Sequence, residues 1–343
     1  MAPRVGVVVA AYNAAPFITE SLQSVVDQTV SDWECVVVDD GSTDATADRA
    51  REFAATDSRF RLVEQPNLGT PTARNNGLAE LSDDVTSVTF LDADDTWLPD
   101  ALETLTAALA AHGDAVGVYG LAEYSDAEGR PFSPGRHPAG QRARRRMGRF
   151  DLEDLPTAAP YTFESLIVSG TMWPTAIGLH RREVVDRVGG FDPALRQVQD
   201  WDLYLRMSRS GPFEPVDRQV AWYRQHSTNV THRSDRVAFY SLQVRRKAFD
   251  SGEDTHAQHV LSRRVWRRLV LRWSVWTAQA AAAHLRHREP AQAAEALLAV
   301  GRFVPTLVAG RPHRPDRRLA ATIARYVSER AFNPRVSPDP AGG

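Results

Sequence analysis

The sequence predicts an α/β fold, in which helices flank a mixed, mainly parallel sheet, followed by a helical C-terminal region. Two observations carry this prediction. From Val5 to Tyr119, apolar runs of strand length alternate with segments of helical periodicity, as in a doubly wound sheet. Beyond residue 236 the strand-like runs stop and helical periodicity continues. An apolar content of 43% and a charged content of 24% are typical of a folded protein with a substantial core.

The elements follow one another in a regular order. Continuous apolar runs such as 5–11 indicate strands buried on both faces, and Pro16 and Pro71 suit first helical turns. The predicted strands are residues 5–11, 33–38, 61–64, 85–91, 115–119, 175–179 and 220–222. The predicted helices are residues 16–28, 44–56, a segment beginning at 70–71, 99–112, 182–188, 199–207, 260–284, 291–300 and 316–331. Residues 125–160 lose periodicity and are predicted to be a loop, with a lid or a site for an anionic acceptor as the alternative.

Charge is distributed unevenly along the chain. The formal net charge is only -2, yet residues 251–343 contain 15 Arg against 7 Asp and Glu. No recognised nucleic-acid-binding module accompanies these arginines, so we expect no nucleic-acid partner. The one cysteine, Cys35, lies in an apolar run and is predicted to be a core residue. Because neither an apolar run of membrane-spanning length nor a signal-peptide pattern is present, a cytoplasmic location is expected.

Three polar loops follow predicted strands, at the edge where parallel α/β sheets bind ligands. They are Tyr12-Asn13, Asp39-Asp40-Gly41-Ser42 and Asp92-Ala93-Asp94-Asp95. Carboxylates this close repel one another unless a cation lies among them, which favours a divalent metal that carries a phosphorylated ligand. The alternative is a solvated turn in which Asp95 caps the next helix. The first loop lacks the glycines that a dinucleotide-binding turn needs, which argues against a dehydrogenase.

Seven short motifs occur in an order that resembles family 2 of the inverting glycosyltransferases, which have the GT-A fold. The resemblance covers roughly residues 4–232. The motifs are Val7-Val8-Val9-Ala10-Ala11-Tyr12-Asn13, Val36-Val37-Val38-Asp39-Asp40-Gly41-Ser42-Thr43-Asp44, Ala73-Arg74-Asn75-Asn76-Gly77, Phe90-Leu91-Asp92-Ala93-Asp94-Asp95, Gly189-Gly190-Phe191-Asp192, Gln199-Asp200-Trp201 and Tyr223-Arg224-Gln225-His226. The resemblance implies a GT-A catalytic domain over residues 1–236, with a nucleotide-sugar-binding half (1–120) and an acceptor-binding half (121–236). A helical region (237–332) and a disordered tail (333–343) are expected to follow.

The resemblance also implies roles for residues that bind the donor. Asp40 would accept a hydrogen bond from a uracil-type N–H. The other implied donor-binding residues are Ala11, Tyr12 and Asn13 in the base pocket, Arg74 near the base or diphosphate, and Asp92 at the ribose. Asp94 and His226 would hold Mn²⁺ or Mg²⁺, which neutralises the diphosphate. The role of Asp95 stays open between the metal site and a helix cap.

Asp200 matches the family's catalytic base, the carboxylate that removes the proton of the acceptor hydroxyl during inversion. Gln199 stands where a Glu is more usual, which removes a neighbouring charge and leaves the base in place. A simple helix cap is the alternative for Asp200. Trp173 and Trp201 could stack on an acceptor sugar or pack in the core, and both interpretations stay open. Neither a Q-x-x-R-W motif nor a membrane-spanning run is present, which favours single additions over processive synthesis.

The predicted function is therefore metal-dependent transfer of one sugar from a nucleotide-sugar, with UDP preferred, to a glycan, lipid-linked or small-molecule acceptor in polysaccharide or glycoconjugate synthesis. The alternative is a non-catalytic sugar-nucleotide-binding or scaffold subunit. In the C-terminal region, the 260–284 helix has tryptophans on one side and arginines on the other. It could lie on the inner face of the cell membrane as a peripheral contact, or pack its tryptophans on protein, including a second copy.

Overall fold

The chain forms two compact units in a computed structural model. The structure describes residues 4–132, 144–147, 152–155, 159–168, 172, 174–227, 234–252, 255–301, 303–309 and 321. Unit 1 comprises Met1–Arg144, Leu155–Leu166 and Gly170–Thr228, and unit 2 comprises Arg145–Asp154, Ile167–Ser169 and Asn229–Gly343. The last passage of the chain from unit 1 to unit 2 follows Thr228, and the boundary at residue 236 stays a prediction.

Unit 1 is built on an eight-stranded mixed sheet. Its strands are β1 (Val5–Ala11), β2 (Trp33–Asp39), β3 (Phe60–Glu64), β4 (Ser87–Asp92), β5 (Thr96–Trp97), β6 (Gly117–Ser125), β9 (Gly178–Arg181) and β10 (Phe213–Arg224). The strand order is β3-β2-β1-β4-β9-β6-β10-β5. The first four strands in this order are parallel, β9 is antiparallel to both of its neighbours, and β10 is parallel to β6. The predicted mixed, mainly parallel sheet is confirmed.

The central strands are buried as their composition predicts. Every residue of β2 is buried, and in β1 only Ala10 is partly accessible. Cys35 lies in β2 with no exposed surface, which confirms it as a core residue, and burial raises the pKa of its thiol. The predicted strand 175–179 is partly wrong, because Thr175–Ile177 form a 3-10 helix before β9 begins. The strands β6 and β10 extend further than predicted.

Helices cover the sheet and bring polar residues to its edge. They are α1 (Ile18–Val26), α2 (Thr46–Thr56), α3 (Thr70–Ala79), α4 (Ala101–Ala111), α5 (Phe163–Val168), α6 (Arg182–Arg187) and α7 (Gln199–Met207). Helix α3 lies close to β1 and β2, since a Cβ at Gly77 would be 2.5 Å from Val8 Cγ1 and 3.2 Å from Val38 Cγ2. This glycine lets the helix that carries Arg74 approach the sheet.

Residues 125–160 contain more regular structure than predicted. In their described part, β6 extends to Ser125, and two short strands, β7 (Arg144–Met147) and β8 (Leu152–Leu155), pair with each other. The prediction of a loop is wrong at these strands. No periodicity marks four-residue strands in an arginine-rich stretch, so hydrophobic pattern alone could not find them.

Unit 2 is mainly helical in its described part, which also includes most of β7 and β8. Its helices are α8 (Ser234–Asp250), α9 (His256–Arg286), α10 (Pro290–Gly301) and α11 (Val304–Ala309). Helix α9 starts earlier than the predicted 260–284, because Thr255 and Gln258 form a capping box ahead of it. Apart from Ala321, the predicted helix 316–331 and the predicted tail 333–343 lie outside the described residues. Among the described helices, none has both the length and the apolar character needed to cross a membrane.

Candidate active site

The carboxyl ends of β1, β2 and β4 bring three polar loops to one edge of the sheet. In the parallel register, Ala11 lies beside Asp39 and Ala10 lies beside Asp92. The loops after these strands therefore begin at the same level, as neighbouring parallel strands require. This edge is where the candidate site lies.

Asn13 joins the loop after β1 to the loop after β2. Its backbone has a φ of 50°, a left-handed conformation that asparagine tolerates. Its Oδ1 accepts a hydrogen bond from the Thr43 N–H at 2.8 Å, and its own N–H donates to Ser42 Oγ at 2.9 Å. Tyr12 is 50% exposed, whereas Ala11 is buried. These hydrogen bonds join the two loops into one surface, on which the Tyr12 ring is accessible.

Asp40 is buried, and its carboxylate holds the loop that precedes α3. Its Oδ1 accepts hydrogen bonds from Gln65 Nε2 at 2.6 Å and from the Leu68 N–H at 2.8 Å, and its Oδ2 accepts one from the Gly69 N–H at 2.8 Å. A carboxylate oxygen has two acceptor sites, so Oδ2 retains capacity for a further N–H. Asp40 can therefore support the loop and accept a hydrogen bond from a ligand at the same time.

The buried Arg74 forms an ion pair with the partly exposed Asp92, and Thr175 contacts both side chains. Arg74 is 3% exposed, and its Nη2 donates to Asp92 Oδ1 and, at 3.1 Å, to Thr175 Oγ1. The Thr175 hydroxyl donates to Asp92 Oδ2 at 3.3 Å. Among the described residues, Arg74 Nη1 has no hydrogen-bond partner although it is buried. An unsatisfied buried guanidinium N–H is costly, which is consistent with a position that an anionic ligand fills.

Asp94 and His226 meet at the site although they are far apart in the sequence. His226 Nε2 lies 2.9 Å from Asp94 Oδ2, and the imidazole stacks on Phe17 with 4.5 Å between ring centroids. The Asp94 side chain is 27% exposed and the His226 side chain 10% exposed. The structure therefore brings both predicted metal-binding residues together, with the carboxylate open to solvent.

Arg224 holds the acidic loop, Asp92–Asp95, in place. Its Nε donates to the Asp94 carbonyl at 2.9 Å, its backbone N–H donates to Asp95 Oδ1 at 3.0 Å, and its Nη2 pairs with Glu20. Asp95 has no exposed surface, so the predicted alternative of a solvated helix cap is wrong. Residue Asp100, not Asp95, occupies the N-cap position of α4.

The Asp95 carboxyl holds its proton more tightly than an ordinary aspartate. Burial raises its pKa first, and the charges of Asp94 and Asp92 raise it further, whereas the Arg224 N–H and charge lower it. Among the described residues, its Oδ2 has no hydrogen-bond partner. The acidic loop therefore holds a buried carboxyl oxygen that no described protein group satisfies.

Asp200 is the second residue of α7, beyond the N-cap residue Val198. It is therefore not a helix cap, although its Oδ1 accepts a hydrogen bond from the Trp201 N–H at 2.8 Å. Burial raises the pKa of Asp200, the positive charge of Arg74 lowers it, and the negative charge of Asp92 raises it. Arg74 and Asp92 thus both act on the protonation of the proposed base, which links the electrostatics of Asp200 to the donor side of the site. A raised pKa makes a carboxylate a stronger base.

The residues around Asp200 have distinct environments. Val198 adopts a left-handed φ of 52°, which is strained for a β-branched residue. Gln199 adds no charge, yet burial and the charge of Asp92 raise the pKa of the neighbouring Asp200. Trp201 is 6% exposed and its Nε1 donates to the Leu166 carbonyl at 2.7 Å, which favours the core interpretation over stacking on a sugar. Trp173 lies outside the described residues.

The donor set fits a divalent cation that also binds phosphate. Within the described ranges, no group of three or more His, Cys, Asp and Glu side chains is arranged to hold a metal by itself. Mg²⁺ sites commonly take one or two protein carboxylates and complete their shell with substrate phosphates and water. Asp94 matches that pattern, because its carboxylate lies beside His226 Nε2. The adjacent Asp95 adds a buried Oδ2 for which the described residues provide no hydrogen-bond partner.

Three residues of the site escaped the sequence analysis. They are Thr175, Glu20 and, as a structural support, Arg224. Arg224 was named only as part of a motif, and Glu20 reads as an ordinary residue in the first turn of α1. Thr175 falls in a segment predicted as a strand. Only the folded chain shows that these side chains meet the acidic loop.

Comparisons with known proteins show which family model and which relatives this chain matches. The model of the family described as "Glycosyl transferase family 2" matches residues 6–167. The putative teichuronic acid biosynthesis glycosyltransferase TuaG of Bacillus subtilis is 39% identical over 102 residues, which are 29% of this chain and 40% of TuaG. The matched segments span 18% to 66% of the length of the first four curated relatives, so the chain covers less than two thirds of any of them.

Two solved structures have a similar fold. S. aureus TarS 1-349 in complex with UDP-GlcNAc is 15% identical with a TM-score of 0.55, over 90% of this chain and 92% of that chain. The mannosyltransferase PcManGT of Pyrobaculum calidifontis, in complex with GDP-Man and Mn2+, is 20% identical with a TM-score of 0.56, over 98% of this chain and 89% of that chain. At sequence identities of 15% and 20%, this similarity shows a shared fold and no more.

Proposed function

We propose that this chain, whose residues 6–167 match the model of glycosyl transferase family 2, transfers one sugar from a nucleotide-sugar to an acceptor hydroxyl, with inversion at the anomeric carbon. The observation that carries the proposal is that the Arg74–Asp92 pair and the Asp94–His226 pair lie at one sheet edge and that the charges of Arg74 and Asp92 act on Asp200. A nucleoside-binding surface, an anion-binding arginine and a carboxylate base are what such a reaction needs.

The donor is proposed to lie along the edge of the sheet from β2 to β4. Asp40 Oδ2 accepts an N–H of the base, and the exposed Tyr12 ring lines the base pocket. Asp92 lies at the ribose, and Arg74 Nη1 donates to the diphosphate. UDP is the preferred nucleotide, and TarS binds UDP-GlcNAc on a similar fold, whereas PcManGT binds GDP-Man. The identity of the donor's nucleobase is therefore the first feature of the donor to measure.

A divalent cation, Mn²⁺ or Mg²⁺, is proposed to be held by Asp94 and His226 together with the donor diphosphate. When bound, the cation neutralises the two phosphates and stabilises the departing nucleoside diphosphate. Arg224 keeps the Asp94 backbone in place through its Nε, and Phe17 fixes the plane of the His226 ring by stacking. The protein thus presents its two ligands in a fixed orientation.

Asp200 is proposed to act as the base. Its carboxylate accepts the proton of the acceptor hydroxyl while that oxygen forms a bond to the anomeric carbon and the bond to the diphosphate oxygen breaks. Burial makes this carboxylate more basic than a solvated one, and the charge of Arg74 keeps it from being protonated too readily. The acceptor, as in the synthesis of polysaccharides or glycoconjugates, is proposed to be a glycan, a lipid-linked sugar or a small molecule.

Nucleotide binding by the full-length chain tests the donor site. Titration calorimetry with UDP, dTDP and GDP, each with Mn²⁺ and with chelator, is expected to show metal-dependent binding with UDP tightest. Asp94→Ala is expected to weaken metal-dependent binding by about 10-fold or more, the scale of a lost metal-site interaction. Asp114→Ala, at an exposed carboxylate, is the matched control and is expected to bind like the wild type. Equal affinities for Asp94→Ala and wild type, with and without chelator, would exclude the metal role of Asp94.

A further inference from the structure

Helix α9 uses one side to build the core of unit 2. Its three tryptophans, Trp266, Trp273 and Trp276, are between 1% and 9% exposed. Trp266 and Trp273 meet edge to face with 5.7 Å between ring centroids, and Trp273 contacts Phe303 at 6.2 Å. The tryptophan side is therefore occupied by protein, and any external partner of α9 must meet its other side.

The opposite side of α9 carries arginines interleaved with aliphatic residues, and we call it the arginine face. Arg263, Arg264 and Arg267 are exposed on it. Between them lie the aliphatic residues Val260, Leu271 and Val275, which are 48%, 52% and 46% exposed. At about 100° per residue, these six positions share an arc of roughly 120°.

Helix α9 itself contributes no negative charge to this face. Residues 255–288 include neither Asp nor Glu. The acidic residues at the ends of the neighbouring helices have partners of their own, since Asp250 pairs with Arg246 and Glu289 pairs with His284. A shallow cavity of about 450 Å³ lies on the face, lined by Val260 and by Arg263, Arg264, Arg267 and Arg268. Guanidinium groups around such a cavity suit phosphate oxygens.

We propose that the arginine face docks on the surface of an anionic lipid bilayer. Arginines attract the negative headgroups, and aliphatic side chains half exposed among them can enter the boundary between headgroups and acyl chains. A bilayer offers both chemistries at once. A free phosphate or a nucleic acid would use the arginines and leave Val260, Leu271 and Val275 in water. This binding is independent of the sugar transfer proposed above.

Vesicle flotation of the full-length chain tests the proposal. The probes are vesicles of phosphatidylcholine alone and of phosphatidylcholine with 30% phosphatidylglycerol. The first variant combines Arg263→Gln, Arg264→Gln and Arg267→Gln. The matched control combines Arg187→Gln, Arg286→Gln and Arg288→Gln, which removes the same charge at three other exposed arginines. Circular dichroism establishes that both variants keep the helical content of the wild type.

The wild type and the control are expected to float with the phosphatidylglycerol vesicles and not with phosphatidylcholine alone. The first variant is expected to lose binding by roughly 100-fold, from the contribution of three arginines at an anionic surface. The variant Leu271→Ser with Val275→Ser is expected to weaken flotation at 0.5 M salt, where attraction between charges is screened. Absence of wild-type flotation, or equal flotation of the two arginine variants, would overturn the proposal. The proposal would also be overturned if the first variant lost binding to an RNA homopolymer, or lost self-association, in place of binding to vesicles.

Discussion

At the residue scale, the proposed base has an environment that opposes its own ionisation. Asp200 is half-buried, and desolvation together with the negative charge of Asp92 raises its pKa. Only the charge of Arg74 and the backbone N–H groups of residues 200 and 201 act in the other direction. A partly desolvated carboxylate that must be ionised to work destabilises the fold, a common property of active sites.

This cost predicts that Asp200→Asn stabilises the protein at neutral pH. The pKa of Asp200 is raised on folding, so its contribution favours the folded state at low pH and is lost as the pH rises through the raised pKa. At pH 7 the neutral variant is expected to melt at a higher temperature, by about 2–4 °C for each kcal/mol in a domain of this size. Calorimetry from pH 4 to pH 8 measures the difference. It should shrink toward the acid end, and a variant that melts below the wild type at pH 7 would contradict the assigned environment.

The family resemblance named most of the residues of the candidate site, and their roles stay predictions, but it did not name the residues that support them. Asp94 and His226, predicted as partners from the family resemblance, lie within hydrogen-bond distance in the structure. Arg224 and Glu20 are 204 positions apart, and nothing in either local sequence indicates their pairing. Thr175 bonds Asp92 across 83 positions and belongs to no recognised motif. Long-range contacts between ordinary side chains are set by tertiary packing, which periodicity does not record.

At the element scale, the position of helix α3 depends on Gly77, which has no side chain. Gly77 packs against β1 and β2, where Val8 and Val38 are fully buried. Because α3 carries Arg74 into the site, the closeness of this packing also sets the position of the Arg74–Asp92 pair.

Gly77→Ala is therefore expected to destabilise the protein. The added methyl group would lie 2.5 Å from Val8 Cγ1, a side chain with little freedom to rotate. Overpacking of this kind costs about 1–3 kcal/mol, which exceeds the helix-propensity gain of about 1 kcal/mol. Urea unfolding measures the change. Gly113→Ala is the control, because no atom lies within 4 Å of the added Cβ there, and its effect is expected to stay within about 0.5 kcal/mol. Equal effects of the two substitutions would contradict the packing explanation.

The sheet was predictable where strands are buried and apolar, and less so elsewhere. β1, β2 and β3 begin and end within a residue of their predicted positions, because both faces of the first two are covered and their composition shows it. β10 runs from Phe213 to Arg224, yet only 220–222 were predicted, since its first half contains Pro215, Asp217 and Arg218. The irregular register of that half against β6 lets polar residues remain in the strand.

At the scale of the whole molecule, the two units differ in how far the sequence describes them. Unit 1 contains every motif of the resemblance, so its fold and its site residues could be predicted. Unit 2 contains none, and periodicity alone could place its helices but not choose which side of α9 faces protein. Burial of Trp266 and Trp273 settles that choice in favour of packing for the tryptophan side.

The most direct test of sugar transfer is the release of nucleoside diphosphate by the full-length chain. The donor is the sugar nucleotide whose base binds most tightly, with Mn²⁺, with and without acceptor sugars. The wild type and Asp114→Asn are expected to release nucleoside diphosphate at the same rate. Asp200→Asn is expected to release it about 10²–10⁴-fold more slowly, with unchanged donor affinity, because it lacks only the base. Undiminished release by Asp200→Asn would contradict the role of the base, and a wild type that binds the donor without releasing nucleoside diphosphate would identify a binding subunit in place of an enzyme.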